Sequence, residues 1–198
     1  MLDCLNRSGQ REDTLVIFTS DHGEMLGDHG LITKGCRFYE GLVHVPLIIS
    51  WPSVISQGIR KRSLVELTDI APTLLDYAGI EKGERMIGRS LRRLLESEVD
   101  VHRKFVRCEY YRALSLLAPG RENWEGSYAT MIRTDRYKLV VYHGHESGEL
   151  FDLEKDPGEF VNLWSDPDCN EIRFDLMKAM LDQSAFAVDL GSEMTCVF

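Results

Sequence analysis

A carboxylate and an imidazole stand side by side at Asp21 and His22, and a lysine follows at Lys34. Asp and His side chains ligate divalent cations, while a lysine ammonium is a compact positive charge on a flexible stem that can meet an anionic substrate. Hydrolysis of a sulfate or phosphate ester asks for both. The metal neutralises non-bridging oxygens and orients the nucleophile, and the ammonium stabilises charge elsewhere on the group. Two adjacent side chains reach one ion only where the backbone turns, and Gly23 supplies the permissive residue for that turn.

These residues need elements to position them. Residues 15–18 are apolar and partly β-branched, which predicts a fully buried strand that breaks into polar residues and glycine at residues 20–23. Residues 45–50 predict a second strand, ended by Trp51 and Pro52, and residues 24–40 a long functional loop between the two. The candidate residues then lie just past the carboxyl end of a strand, where open α/β sheets collect ligands.

The ordered string around them, Asp21-His22-Gly23, Gly27-Asp28-His29-Gly30, Lys34, Tyr39-Glu40 and His44-Val45-Pro46-Leu47-Ile48, resembles the sulfatase family of the alkaline-phosphatase superfamily. The similarity continues through residues 69–75, Tyr137-Lys138-Leu139, residues 149–153 and Asp156-Pro157. The fold it implies is α/β: residues 1–104 form the C-terminal part of a sulfatase-type sheet domain, and residues 105–198 a small antiparallel sheet subdomain with a terminal helix.

Carried over residue by residue, the resemblance implies that Asp21 and His22 ligate the active-site divalent cation and that Lys34 contacts the sulfate, with a catalytic and a substrate-binding role in one side chain. It assigns His29 no direct role. The family's metal is usually calcium, a hard ion that an imidazole suits less well than an amide oxygen, so manganese and magnesium stay open. Sulfatases also carry a Cys-x-Pro-x-Arg or Ser-x-Pro-x-Arg motif whose first residue becomes formylglycine, the nucleophile. Neither occurs in this sequence. The expectation is therefore a C-terminal portion of an arylsulfatase-like enzyme, inactive by itself, whose partners are a sulfated small molecule or glycan and a missing N-terminal half that brings the formylglycine. A phosphonate or phosphate ester hydrolase of the same superfamily, and a non-catalytic domain that binds an anion or a partner chain, remain as alternatives. Family members are often periplasmic, secreted or lysosomal.

With 198 residues and 43% hydrophobic content, the chain can bury one sizeable core. Its net charge of -9 argues against a nucleic-acid surface, and no run approaches the length of a membrane span. The basic cluster at residues 89–93 alternates with leucines and reads as the wet side of a short helix. Five cysteines at irregular spacing make no zinc signature and read as buried small hydrophobes.

A short helix is expected before the first strand, ending near Gly9, and another over residues 69–78, capped by Thr68 or Asp69, carrying Pro72 in its first turn and closed by Gly79. Residues 105–111, 128–133, 137–142 and 149–153 then read as strands of an antiparallel sheet, followed by a helix over 170–187 with Ile172, Leu176, Ala179 and Met180 inward, and an eleven-residue tail. His143-Gly144-His145 reads as a hairpin turn rather than a metal site. The Asp152, Glu154, Asp156 series lacks the glycine of a calcium loop, since Pro157 stands in its place.

Overall fold

Thr19 pairs with Leu47 at the end of a two-stranded antiparallel ribbon, so both ends of the long intervening segment leave the ribbon at one place. In the computed structural model the described residues are 1–111 and 128–187. The ribbon is β1 (Val16–Thr19) against β2 (Leu47–Ser50). Before it, α1 (Leu2–Arg7) ends ahead of Gly9, whose φ of 71° is the left-handed conformation glycine adopts at no steric cost. The ribbon differs from the expected buried strand, for Phe18 and Ile48 are each 60% exposed. They oppose each other in register on one face, and no third strand pairs with the ribbon among the described residues. An apolar strand that reads as interior therefore has an open side.

The second sheet is an antiparallel meander in the order β3 (Val106–Tyr111), β4 (Tyr128–Arg133), β5 (Tyr137–Tyr142), β6 (Gly148–Asp152). Successive side chains of a strand point to opposite faces, and both faces are covered here. Ala129, Met131 and Val140 pack on Cys36 and Phe38, whereas Ile132, Leu139 and Leu150 pack on Leu176 and Met180 of α5 (Asn170–Phe186). The central strands are accordingly apolar at consecutive positions rather than alternating. One face thus holds a helix, and the other holds the segment that carries the candidate site. The hairpin expected at His143-Gly144-His145 is present, with Gly144 at φ 83° and His143 Nε2 2.8 Å from the Thr130 hydroxyl. Arg136 grips Asp152 with two nitrogens, at 3.0 and 2.7 Å.

Between the sheets, α2 (Glu40–Val43), α3 (Ile70–Tyr77) and α4 (Arg92–Leu95) are short. Asp69 sits ahead of α3, fully buried, where its carboxylate accepts from the backbone N–H of Glu66 at 2.9 Å and of Arg89 at 2.8 Å. It also pairs with Arg103, and His102 Nε2 lies 3.3 Å away. Asp69 stands at the position expected of the cap, yet its side chain makes no cap bond to α3; it closes a capping box with Glu66 around the turn at residues 67–69 and ties that turn to the segment entering the second sheet. Gly88 belongs to the same junction: a Cβ there would lie 2.0 Å from the Thr68 carbonyl oxygen. Asp69→Ala leaves Arg103, 9% exposed, with Glu66 at 3.0 Å as its remaining carboxylate, and removing one member of a buried pair costs up to about 3–5 kcal/mol. Chemical denaturation should show that loss as a lower midpoint.

The basic cluster lies on the wet side of α4, where Arg92 pairs with Asp76 and Glu96 while Leu91 and Leu94 are buried. The cysteines divide. Cys36 is buried and Cys108 and Cys169 pack against the two core clusters, but Cys4 is exposed because α1 buries none of its residues. Cys196 and the expected tail beyond residue 187 lie outside the described residues. No helix among the described residues is long and apolar enough to cross a membrane.

Candidate functional site

Asp21 and His22 follow directly on the end of β1, and the turn that brings them together is forced by a close backbone approach. Gly23 donates its N–H to the Leu42 carbonyl at 2.8 Å, and a Cβ on Gly23 would lie 1.9 Å from the carbonyl oxygen of Gly41. Glycine is needed here because α2 occupies the space. Gly23→Ala must therefore push the His22 turn away from α2, and overpacking of this kind typically costs about 1–3 kcal/mol. A melting curve should register the loss, together with faster exchange of the Gly23 amide.

The imidazole is oriented by its own backbone. His22 Nδ1 lies 2.8 Å from the Gly23 carbonyl, which can only accept, so we assign the proton to Nδ1 and the lone pair to Nε2. Lys34 reaches across twelve positions to place its ammonium 2.5 Å from that Nε2. The Asp21 carboxylate is 3.5 Å from the same nitrogen and open to solvent. The His22 backbone N–H, donating at 3.0 Å, holds the Asp21 carboxyl below the usual carboxylate range, so it is charged at neutral pH.

All three residues singled out from the sequence thus converge on one point. A carboxylate and a neutral imidazole with its second nitrogen tied to a carbonyl is a donor set that divalent cations take, since a hydrogen bond at one ring nitrogen fixes the other for ligation. Two donors do not complete a coordination shell, and no group of three or more His, Cys, Asp and Glu side chains gathers for a metal among the described residues. The pair fits a cation as part of a larger set.

His29 goes elsewhere. Its ring stacks on Tyr39 at 3.9 Å between centroids and on Phe160 at 5.0 Å, which braces the middle of the segment against the loop after β6. Gly27 and Gly30, at φ 110° and 70°, allow the tight turn that delivers it there. Cys36 is buried against the second sheet, and burial pushes its thiol up, away from the reactive thiolate form.

One cluster went unread in the sequence. Lys138 is fully buried, with its ammonium 2.7 Å from Glu40 Oε1, 2.7 Å from Glu159 Oε1 and 2.9 Å from the Phe38 carbonyl oxygen. Burial pushes the Glu40 carboxyl up, but Lys138 first and Arg133 after it outweigh that effect and hold it below its usual range. The signal was a lone lysine between Tyr137 and Leu139, at an inward position of a strand, where a cation belongs only if partners await it.

Residues 27–185 match the family model described as N-sulphoglucosamine sulphohydrolase, C-terminal. N-acetylglucosamine-6-O-sulfatase of Bacteroides thetaiotaomicron is 31% identical over 182 residues, which is 91% of this chain and 32% of that protein. A phosphonate monoester hydrolase from Silicibacter pomeroyi superposes with a TM-score of 0.83 at 30% identity, over 96% of this chain and 38% of its own. BT4656, solved in complex with its substrate D-glucosamine-2-N,6-O-disulfate, superposes with a TM-score of 0.82 at 28% identity, over 94% of this chain and 37% of its own. The chain spans about a third of the length of the curated relatives it matches. The family model starts at Gly27, past Asp21 and His22, and takes in Lys34, the four-stranded sheet and nearly all of α5, and on that match the chain belongs to the sulfatase family, as the C-terminal portion of its members.

Proposed function

We propose that this chain is the part of a sulfuric ester hydrolase that carries the later metal-binding and sulfate-binding motif, with Asp21 and His22 as metal ligands and Lys34 as the sulfate contact. The observation that carries the reading is the convergence of the Asp21 carboxylate and the Lys34 ammonium on the free nitrogen of His22. A bound divalent cation, calcium or else manganese or magnesium, supplies charge neutralisation of the ester's non-bridging oxygens. The protein's own residues do the rest of what this half contributes: Gly23 turns the chain, the Gly23 carbonyl sets the imidazole, and Lys34 meets the anion.

The nucleophile belongs to the same proposal. A polypeptide segment with a formylglycine precursor supplies it and completes the metal shell, and the exposed face of Phe18 and Ile48 is an apolar surface of the kind such a segment covers. Residues 1–104 then belong to the catalytic domain and residues 105–198 to a subdomain that braces it, with Lys138 and Arg133 reaching Glu40, and the Arg107 N–H donating to Glu66, across the boundary. The substrate class is a sulfated small molecule or glycan, in keeping with the sulfated glucosamine bound by BT4656.

A second reading has its own support. The superposition on a phosphonate monoester hydrolase favours a phosphonate or phosphate ester, since the same cation and ammonium serve either anion. Sequencing the DNA upstream of Met1 and assaying the whole reading frame separates the two. A Cys-x-Pro-x-Arg or Ser-x-Pro-x-Arg motif and aryl sulfate turnover above aryl phosphonate turnover are expected, and preference for the phosphonate would overturn the sulfatase reading.

A further inference from the structure

We propose that Lys138 is a positioning residue for the candidate site: its buried ammonium, on the four-stranded sheet, fixes the segment that holds His22 and Lys34 in register. The inference rests on the roles assigned above to those two residues. Lys138 shares the β5 face of Val140, which packs against Cys36 and Phe38, so it points at the site-bearing segment and away from α5. Its three N–H groups have three acceptors: the Phe38 carbonyl, Glu40 and Glu159. With Arg133 at 3.1 Å from Glu40, two cations face two carboxylates. A buried charge is costly unless it is paired and hydrogen-bonded, so such a cluster holds together as a unit or not at all.

From this cluster the contacts run to both ends of the segment. At its exit, the ammonium binds Phe38, four positions past Lys34, and Glu159 Oε2 accepts the N–H of Glu40 at 2.7 Å, which fixes the start of α2. At its entry, α2 passes the constraint on: the Leu42 carbonyl accepts from Gly23, and the Gly23 carbonyl accepts from His22 Nδ1. In the middle, Phe160, next to Glu159, stacks on His29. Packing alone would hold the segment against the sheet, and the directional hydrogen bonds of this cluster, those to the ammonium together with those to Glu40, fix how far along the sheet it sits.

The test follows the His22 ring by 1H–15N nuclear magnetic resonance in the 198-residue chain, well below the melting temperature. Lys138→Met keeps the stem and removes the ammonium, Glu159→Gln keeps the shape and removes a charge, and Arg136→Ala is the control, since it breaks the Asp152 pair on the opposite face. The expected result is that Lys138→Met and Glu159→Gln move the His22 ring signals and abolish the proximity of Lys34 to His22. The control lowers the melting temperature and leaves those signals in place, and Lys138→Arg restores them only in part, because a planar fork does not serve three acceptors arranged around an ammonium. Folded Lys138→Met and Glu159→Gln with wild-type His22 signals would overturn the proposal, and so would a control that moves them equally. If neither variant folds, hydrogen exchange in the wild type decides. Gly23 and Leu42 amides that open together with β5 support it, and independent opening contradicts it. Manganese titration adds a second readout, for supporting residues of a metal site typically cost 10–100-fold in affinity when removed. A wild type that binds no manganese counts against the metal reading alone and leaves the ring signals interpretable.

Discussion

Purified as 198 residues, the chain is expected to turn over aryl sulfates at the background rate. Sulfatases attack through formylglycine, and none of Cys4, Cys36, Cys108, Cys169 and Cys196, nor any serine, is followed by x-Pro-x-Arg. Cys36 offers no substitute, because burial keeps its thiol protonated and Phe38 and Met131 surround it. Losing a group that forms the covalent intermediate removes on the order of 10⁶-fold in kcat where this has been dissected in a serine protease. The expected residual contribution of a cation and an ammonium is too small to register in a chromogenic assay. Turnover well above background, abolished by Asp21→Ala, would show instead that these residues already assemble a working site.

In a polypeptide that includes the nucleophile segment, Asp21→Ala and Lys34→Ala should fail for different reasons. Asp21→Ala removes a charged ligand, so the site empties at ordinary metal concentration, and excess calcium or manganese restores part of the activity by mass action. Lys34→Ala leaves Asp21 and His22 in place and removes the ammonium now resting on His22 Nε2, so its defect lies with the sulfate group and metal excess does not help. Steady-state kinetics across a metal series distinguishes them. Equal rescue of both variants, or of neither, would mean that the two side chains share one role.

Local chemistry made the grouping of the candidate residues legible in the sequence. Asp21, His22 and Lys34 were recoverable because their types and spacing define a task, and the strands of the second sheet because each is a short β-rich run bounded by turn residues such as Thr134-Asp135. The α5 helix was equally plain, since Leu176 and Met180 recur at the helical period and are its buried residues. Longer-range pairings were not. Lys138 meets Glu40 across nearly a hundred positions, and neither residue signals the other. Residues 15–18 read as interior because composition reports what a strand is built to be buried in, whereas exposure of Phe18 depends on which neighbours are present. The role of His29 was hidden for the same reason, as its stacking partner Phe160 comes from the loop after β6.

Manganese titration of the 198-residue chain, read by paramagnetic broadening of amide and ring signals, tests most directly whether Asp21 and His22 ligate a cation beside Lys34. Broadening senses weak occupancy, so an incomplete ligand shell suffices. The expected result is selective loss of the His22 ring and the Asp21 and Gly23 amide signals at low manganese, abolished in Asp21→Ala and retained in Lys34→Ala. Broadening that is absent from His22, or that survives Asp21→Ala unchanged, would contradict the assignment.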